Sequence, residues 1–195
     1  MTTRSPDGPD PARAANVLGA LALVLTDRVT DAVEDAAAQA ETGAVALSAL
    51  RHVLPPDPSI DLVRQVLGLT HSGTVRLVDR LEAAGQVRRG SGRDGRTRTV
   101  ALTTAGRRAA TRVTSERAGK LHAALAVLTS DEQEQLADLA GRVLSGLRRD
   151  ADGGADGSDG PVERWTCRLC DTTACGRLQG RCPVAGAHPP TWEHR

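Results

Sequence analysis

Apolar residues recur at spacings of three and four in "ANVLGALALVLTDRVTDAVEDAAAQ", where Leu18, Leu21, Leu25, Val29 and Val33 predict one stripe of a long amphipathic helix. "TGAVALSALRHVL" predicts a second helix, ended by Pro55 and Pro56. "SIDLVRQVLGL" predicts a third, with Ser59 as N-cap and Gly68 near its end. "THSGTVRLVDRLEAAG" then starts at the N-cap Thr70, carries Val75, Val78 and Leu81 inward and stops at Gly85. Two such helices joined by a short Gly-containing turn make a helix-turn-helix.

The period then changes from helical to alternating. "QVRR" and "TRTVAL" predict two strands around a Gly-rich loop, with Val87, Val100 and Leu102 packing under the helices and Thr and Arg facing out. Gly90, Gly92 and Gly95 reproduce the GxGxxG spacing of a dinucleotide fingerprint, and Glu116 lies about where that fingerprint wants an acid. A strand follows these glycines, however, where the fingerprint needs a helix N-terminus to hold the pyrophosphate. The loop is therefore expected to turn a hairpin, with no nucleotide cofactor.

From Thr104 a long helix is predicted through Leu121, Leu125 and Leu128, and "TSDEQEQLADLAGRVLSGLRR" restarts another with Leu136, Leu139, Val143 and Leu147 on one side. The pattern divides the chain into a flexible arm at 1–12, a helical and winged domain at 13–149, an acidic Gly-rich linker at 150–164 and a cysteine module with a tail at 165–195.

Composition narrows the chemistry. Phe and Tyr are absent and the tryptophans are Trp165 and Trp192, so the core must be small and aliphatic, with little aromatic stacking on bases or flavins. No apolar leader opens the sequence and no stretch approaches ~18 consecutive apolar residues, so a cytoplasmic protein with no membrane partner is expected. The net charge of +1 conceals a separation of signs. Residues 70–120 carry eleven arginines and Lys120 against Asp79, Glu82, Asp94 and Glu116, an excess of eight positive charges. Because that excess coincides with the helix-turn-helix, it reads as an electrostatic footprint for phosphates.

Residues 59–106 closely resemble the MarR (multiple antibiotic resistance regulator) family of winged-helix transcription factors. The resemblance is carried by "SIDLVRQVLGLTHSGTVRLVDRLEAAGQVRR", the wing element Asp94-Gly95-Arg96 and "VALTTAGR". It extends over roughly residues 15–149, including long helices that match the family's dimerisation helices, and does not reach the cysteine module. It implies a mostly α fold with a small β-wing. It also implies a homodimer on an inverted repeat in double-stranded DNA, with half-sites roughly 10 bp apart and recognition helices in successive major grooves. The protein is then a transcriptional regulator, read first as a repressor.

On this resemblance Thr70, His71, Ser72, Thr74 and Arg76 of the recognition helix reach base edges or adjacent phosphates, and Arg80, one turn later, touches phosphate. Asp94 and Arg96 match the family's DxR element, in which a carboxylate orients an arginine for the minor groove. The plainer reading of that pair is a turn-stabilising ion pair. Arg88, Arg89, Arg93 and Arg98 are expected to supply unspecific, salt-dependent affinity. Family members that bind aromatic acids or phenolic drugs hold them between the dimerisation and winged-helix regions. Without Phe or Tyr, this chain offers an aliphatic and polar pocket there, so a phenolic effector is not expected. The family's peroxide sensors use a cysteine near the first helix, and none precedes Cys167 here. The effector, whether small molecule, metal or redox agent, stays open.

"WTCRLCDTTACGRLQGRCPV" holds all four cysteines, Cys167, Cys170, Cys175 and Cys182. A CxxC bend brings two thiolates to one ion, and two further sulfurs in a short loop can complete a tetrahedral site. One zinc ion is therefore expected first. An iron–sulfur cluster, suggested by the Cys182-Pro183 pair, and a metal-free dithiol switch activated by Arg168, Arg177 and Arg181 are the alternatives. HExxH, GxSxG and GxxxxGK[ST] are all missing, and the CxxC lacks a βαβ context, so an enzyme is not expected. The competing function is a winged-helix adaptor for protein interaction or metal binding that does not read DNA sequence.

Overall fold

The computed structural model describes residues 11–92, 95–151, 167–171, 174–176 and 179–183. Within them the predicted periodicities become helices α1 (Pro11–Ala37), α2 (Glu41–His52), α3 (Ile60–Leu67), α4 (His71–Ala83), α5 (Thr104–Leu125) and α6 (Ser130–Ala151), with strands β1 (Val87–Ser91) and β2 (Arg98–Leu102). This is the mostly helical fold with a small β-wing that the sequence predicts. Pro11 and Ala12, expected in the arm, are already helical, since proline suits the first turn of a helix. The rest of that arm, and residues 152–164 of the expected linker, lie outside the described residues.

Helix α2 is the centre of the molecule. Residues 43–49 are all buried, which a helix shows only when neighbours surround it. Helices α1 and α5 supply the largest contacts, and α3, α4 and β2 close further sides. The side chains that fill this space are Leu47, Leu67, Leu77 and Leu81 with a set of valines, the small aliphatic core that the composition requires.

Local chemistry sets the boundaries. Ser59 caps α3 by accepting from the Leu62 N–H at 3.0 Å, and Gly68 ends the helix in the left-handed region at φ +63°. Thr70 then caps α4 by accepting from the Gly73 N–H at 3.1 Å. The two strands pair antiparallel from Val87 opposite Leu102 to Ser91 opposite Arg98, and a single bridge joins Ser59 to Thr99. A strand thus follows the glycine loop, as the hairpin reading requires. Gly95 supplies a φ of +68°, and a Cβ on Gly90 would stand 2.8 Å from Thr99 Oγ1 across the ladder.

Thr103 links three parts of the fold. Its side chain accepts from the Gly106 N–H at 3.1 Å to cap α5, its hydroxyl donates to the Gly85 carbonyl at 2.6 Å, and its own N–H donates to the Gln86 carbonyl at 3.0 Å. Gln86 Nε2 in turn donates to the Ala37 carbonyl at 2.8 Å, and Arg112 Nε to Ala36 at 3.1 Å. These bonds occupy carbonyls that the end of α1 leaves without helical partners.

Among the described residues, two apolar stripes are left partly or wholly uncovered. Val33 at the end of the α1 stripe is fully buried, whereas Leu18 and Leu21 near its start are about half exposed at 53% and 46%. On α6, Leu136, Leu139, Val143 and Leu147 are all exposed. Thr129 and Glu132 begin α6 as a capping box, the Thr129 N–H donating to Glu132 Oε2 at 2.8 Å. That backbone bond, followed by the Thr129 hydroxyl, holds the Glu132 carboxyl below its ordinary range. Among the described residues no helix is long and apolar enough to cross a membrane.

His52, at the end of α2, contacts Thr114 of α5 at 3.1 Å. The Thr114 hydroxyl already donates to the Ala110 carbonyl, so His52 Nε2 is the donor. Burial, reinforced by Arg51 and opposed by Asp171, holds this imidazole below its ordinary pKa. The unfolded chain then takes up the proton more readily. Stability is full above about pH 6.5 and falls as pH drops through the lower folded-state value. Denaturant titrations at about pH 7.5 and about pH 5 should show the loss, and His52→Gln should flatten it. An unchanged slope in the variant would assign the acid sensitivity to another group.

Candidate nucleic-acid interface

Helices α3 and α4, joined through the left-handed Gly68, form the helix-turn-helix, and α4 leads directly into the wing. The buried face of α4 is Thr74, Leu77, Val78 and Leu81, spaced i, i+3, i+4, i+7. Its opposite face carries Ser72, Arg76, Asp79 and Arg80, all exposed, with Thr70 and His71 exposed at its start. The sequence expectation that Val75 leads the inward stripe is replaced by Thr74 in that role.

Thr74 was expected on the DNA side and is not available there. It is fully buried, and its hydroxyl donates to the Thr70 carbonyl one turn back at 3.0 Å. That bond lets a threonine occupy a core position without a stranded donor.

Arg89 departs from expectation in the same direction. As the second residue after the buried Val87 on a strand of period two, it points to the same face and meets α4. Its guanidinium bonds both Asp79 and Glu82, and its N–H donates to Glu82 Oε1 at 3.1 Å. These carboxylates, Asp79 first, hold the guanidinium in its charged form. It therefore clamps the wing to the recognition helix, with its charge already spent on two carboxylates.

Among the described residues, two further acids nearby are also occupied. Asp61 accepts from Arg64 Nε and Gln65 Nε2, each at 2.7 Å, and the Arg64 bond holds its carboxyl below the ordinary range. Arg88 stands 4.0 Å from Asp57, both exposed. Arg76 and Arg80 have no ion-pair partner among the described residues. The outward surface of α4 is thus positive despite the acids in its sequence. In the wing, Arg96 lies exposed at the loop and Arg98 exposed on β2 opposite Ser91, while Arg93 and Asp94 lie outside the described residues.

The four cysteines lie on the far side of the molecule's sequence but not outside its core. Cys167 and Cys182 are buried in the main apolar cluster, and Cys170 and Cys175 are half-buried against it. They are thiols, with no disulfide among them. Among the described residues no group of three or more His, Cys, Asp or Glu side chains is gathered closely enough to hold a metal ion. Arg177, of the dithiol alternative, falls outside the described residues.

A helix-turn-helix followed by a two-stranded wing and framed by long helices defines the winged-helix class. The chain shares the MarR-type version of that fold. MepR, a transcription regulator of the Staphylococcus aureus multidrug efflux pump MepA, matches at 18% identity over 68% of this chain and 97% of its own, with a TM-score of 0.58. A MepR point mutant bound to an oligodeoxyribonucleotide matches at 17% identity over 69% and 97%, with a TM-score of 0.55. A MarR-family protein of Mycobacterium tuberculosis matches at 23% identity over 69% and 95%, with a TM-score of 0.54. No protein-family model matches the chain, and no curated protein does.

Proposed function

We propose that the chain is a homodimeric transcriptional regulator that binds double-stranded DNA, acts by occupying an inverted-repeat operator in the cytoplasm, and has no catalytic role. The observation that carries this reading is the charge arrangement of α4. Arg89 and Arg64 take up Asp79, Glu82 and Asp61, and so leave Arg76 and Arg80 as the dominant charges on the exposed face. A winged scaffold that presents such a helix suits the major groove, and the exposed Arg96 and Arg98 of the wing would then meet the flanking backbone and minor groove. The exposed start of the α1 stripe and the α6 stripe are the surface that a second copy would cover.

Selection of binding sites by the full chain from a random DNA pool tests the proposal. The expected product is an inverted repeat with half-sites about 10 bp apart, bound with an affinity that falls steeply with salt. Recovery of no common sequence, with weak and uniform DNA binding, would favour the adaptor reading instead.

A further inference from the structure

An acid stands in the middle of the face that the DNA-binding reading turns towards the major groove. Ser72, Arg76 and Asp79 follow one another at i, i+4 and i+7 of α4, on the side opposite the buried Thr74, Leu77, Val78 and Leu81. The Asp79 side chain is 54% exposed. Phosphates repel a carboxylate in that place, so it lowers affinity for any DNA unless it recognises something there.

Asp79 and Glu82 both bond the Arg89 guanidinium, yet the two are held differently. Glu82 uses both oxygens on β1: Oε1 accepts the Arg89 N–H at 3.1 Å, and Oε2 accepts from Arg89 Nη1. Asp79 uses one. Its Oδ1 accepts from Arg89 Nη2, and Oδ2 makes no hydrogen bond among the described residues. Arg89 is itself fixed by the strand that carries it. It lies opposite Val100 in the ladder, and the Val100 N–H donates to the Pro58 carbonyl, in the turn before α3, at 2.9 Å. The result is an acceptor of fixed direction, its charge compensated, on an otherwise positive surface.

Chemistry narrows what such an acceptor can meet. An ionised carboxylate only accepts hydrogen bonds. In the major groove the donors are the exocyclic amines of cytosine and adenine. Adenine sets its amine beside the N7 acceptor, which repels a carboxylate, whereas cytosine presents N4 alone on its edge. We infer that Asp79 is a specificity-determining residue that accepts a hydrogen bond from a cytosine N4 amine, and that Arg89 is the positioning residue that aims it. Arg76, three residues earlier on the same face, is suited to guanine, so each half-site should carry a cytosine beside that guanine. The inference rests on the proposal that α4 enters the major groove, and it adds a base that the arginines of α4 cannot read.

The test applies site selection to the full chain and its variants, followed by titrations on the wild-type operator, on operators changed one base pair at a time and on unrelated DNA. For the wild type, replacing that cytosine should weaken binding about tenfold. Asp79→Ala should bind the two sequences alike, while its affinity for unrelated DNA rises because a charge that phosphates repel has gone. Asp79→Asn should move the preference towards adenine, which an amide reads through N6 and N7. Arg89→Lys keeps the positive charge without the fork that spans two carboxylates, and should blunt the cytosine preference less than Asp79→Ala does. Circular dichroism checks that each variant folds, and Asp79→Asn, which keeps an acceptor for Arg89, carries the test if Asp79→Ala does not fold. Retention of the wild-type preference at every position by both Asp79 variants would overturn the inference. So would a parallel loss on operator and unrelated DNA, which would make the pair structural only. Failure of the wild type to select any common sequence is a different result, since it removes the DNA-reading proposal itself and Asp79 with it.

Discussion

Gly106→Ala is expected to destabilise the protein by about 3 kcal/mol, at the upper end of what overpacking a core produces. A Cβ at this position would lie 1.9 Å from the Gln86 carbonyl oxygen and 2.8 Å from its carbon. Neither atom can simply withdraw. The same oxygen accepts the Thr103 N–H at 3.0 Å, and the Gln86 side chain is fixed 2.8 Å from the Ala37 carbonyl. Relief therefore requires separating α5 from the α4–β1 junction, which loosens the wing as well. For a chain of this size the melting temperature should fall by roughly 6–12 °C. Gly119→Ala is the internal control, since that glycine lies exposed in the same helix with nothing within 4 Å of an added Cβ. There alanine should raise stability by up to about 1 kcal/mol through helix propensity. Denaturant titrations giving both substitutions the same sign would show that the close approach at Gly106 is not realised in solution.

Local rules carried the sequence reading a long way. The caps at Ser59 and Thr70, the stops at Gly68 and Gly85, and the hairpin each depend on a few consecutive residues, and all appear where the pattern put them. The buried side of α4 was also legible in principle, because Thr74, Leu77, Val78 and Leu81 fit the helical period better than a stripe led by Val75. The family resemblance sets Thr74 among the outward residues, whereas its hydroxyl bond back to the Thr70 carbonyl permits its burial. The Arg89 clamp could have been found from strand phase, since a residue two places after a buried valine faces inward.

Other features lay beyond any local rule. The Gln86 and Gly106 contact joins residues twenty positions apart, and its tightness depends on how α5 seats against β1. The sequence likewise treated the cysteine segment as a separate module, whereas Cys167 and Cys182 are part of the main core. Nothing in the spacing of the cysteines says that Pro183 will meet Gly141 and Ser145 across nearly forty residues. The apolar stripes of α1 and α6 were visible as periodicity, but a stripe does not reveal whether its partner is in the same chain or another.

The strongest functional effect is expected from Arg76→Ala measured against Arg98→Ala on the selected operator. Arg76 sits on the α4 face opposite the core, four residues after Ser72 and four before Arg80, with no ion pair among the described residues to hold it back. A bidentate arginine contact to guanine is worth about 1–3 kcal/mol of discrimination, and a dimer loses one such contact in each half-site. Binding to the operator should therefore weaken by at least about tenfold, and the preference at one symmetry-related base position should flatten. Arg98 lies exposed on the wing strand, where a phosphate contact is expected. Its removal should weaken binding to selected and unrelated DNA alike and lower the salt slope by about one for each protomer. Fluorescence anisotropy across a salt series, with operators substituted one base at a time, separates the two signatures. If Arg76→Ala lowers only the salt slope and leaves base preference intact, Arg76 is a backbone contact and the reading residue lies elsewhere on α4. If neither substitution changes affinity, the exposed face of α4 is not the DNA surface.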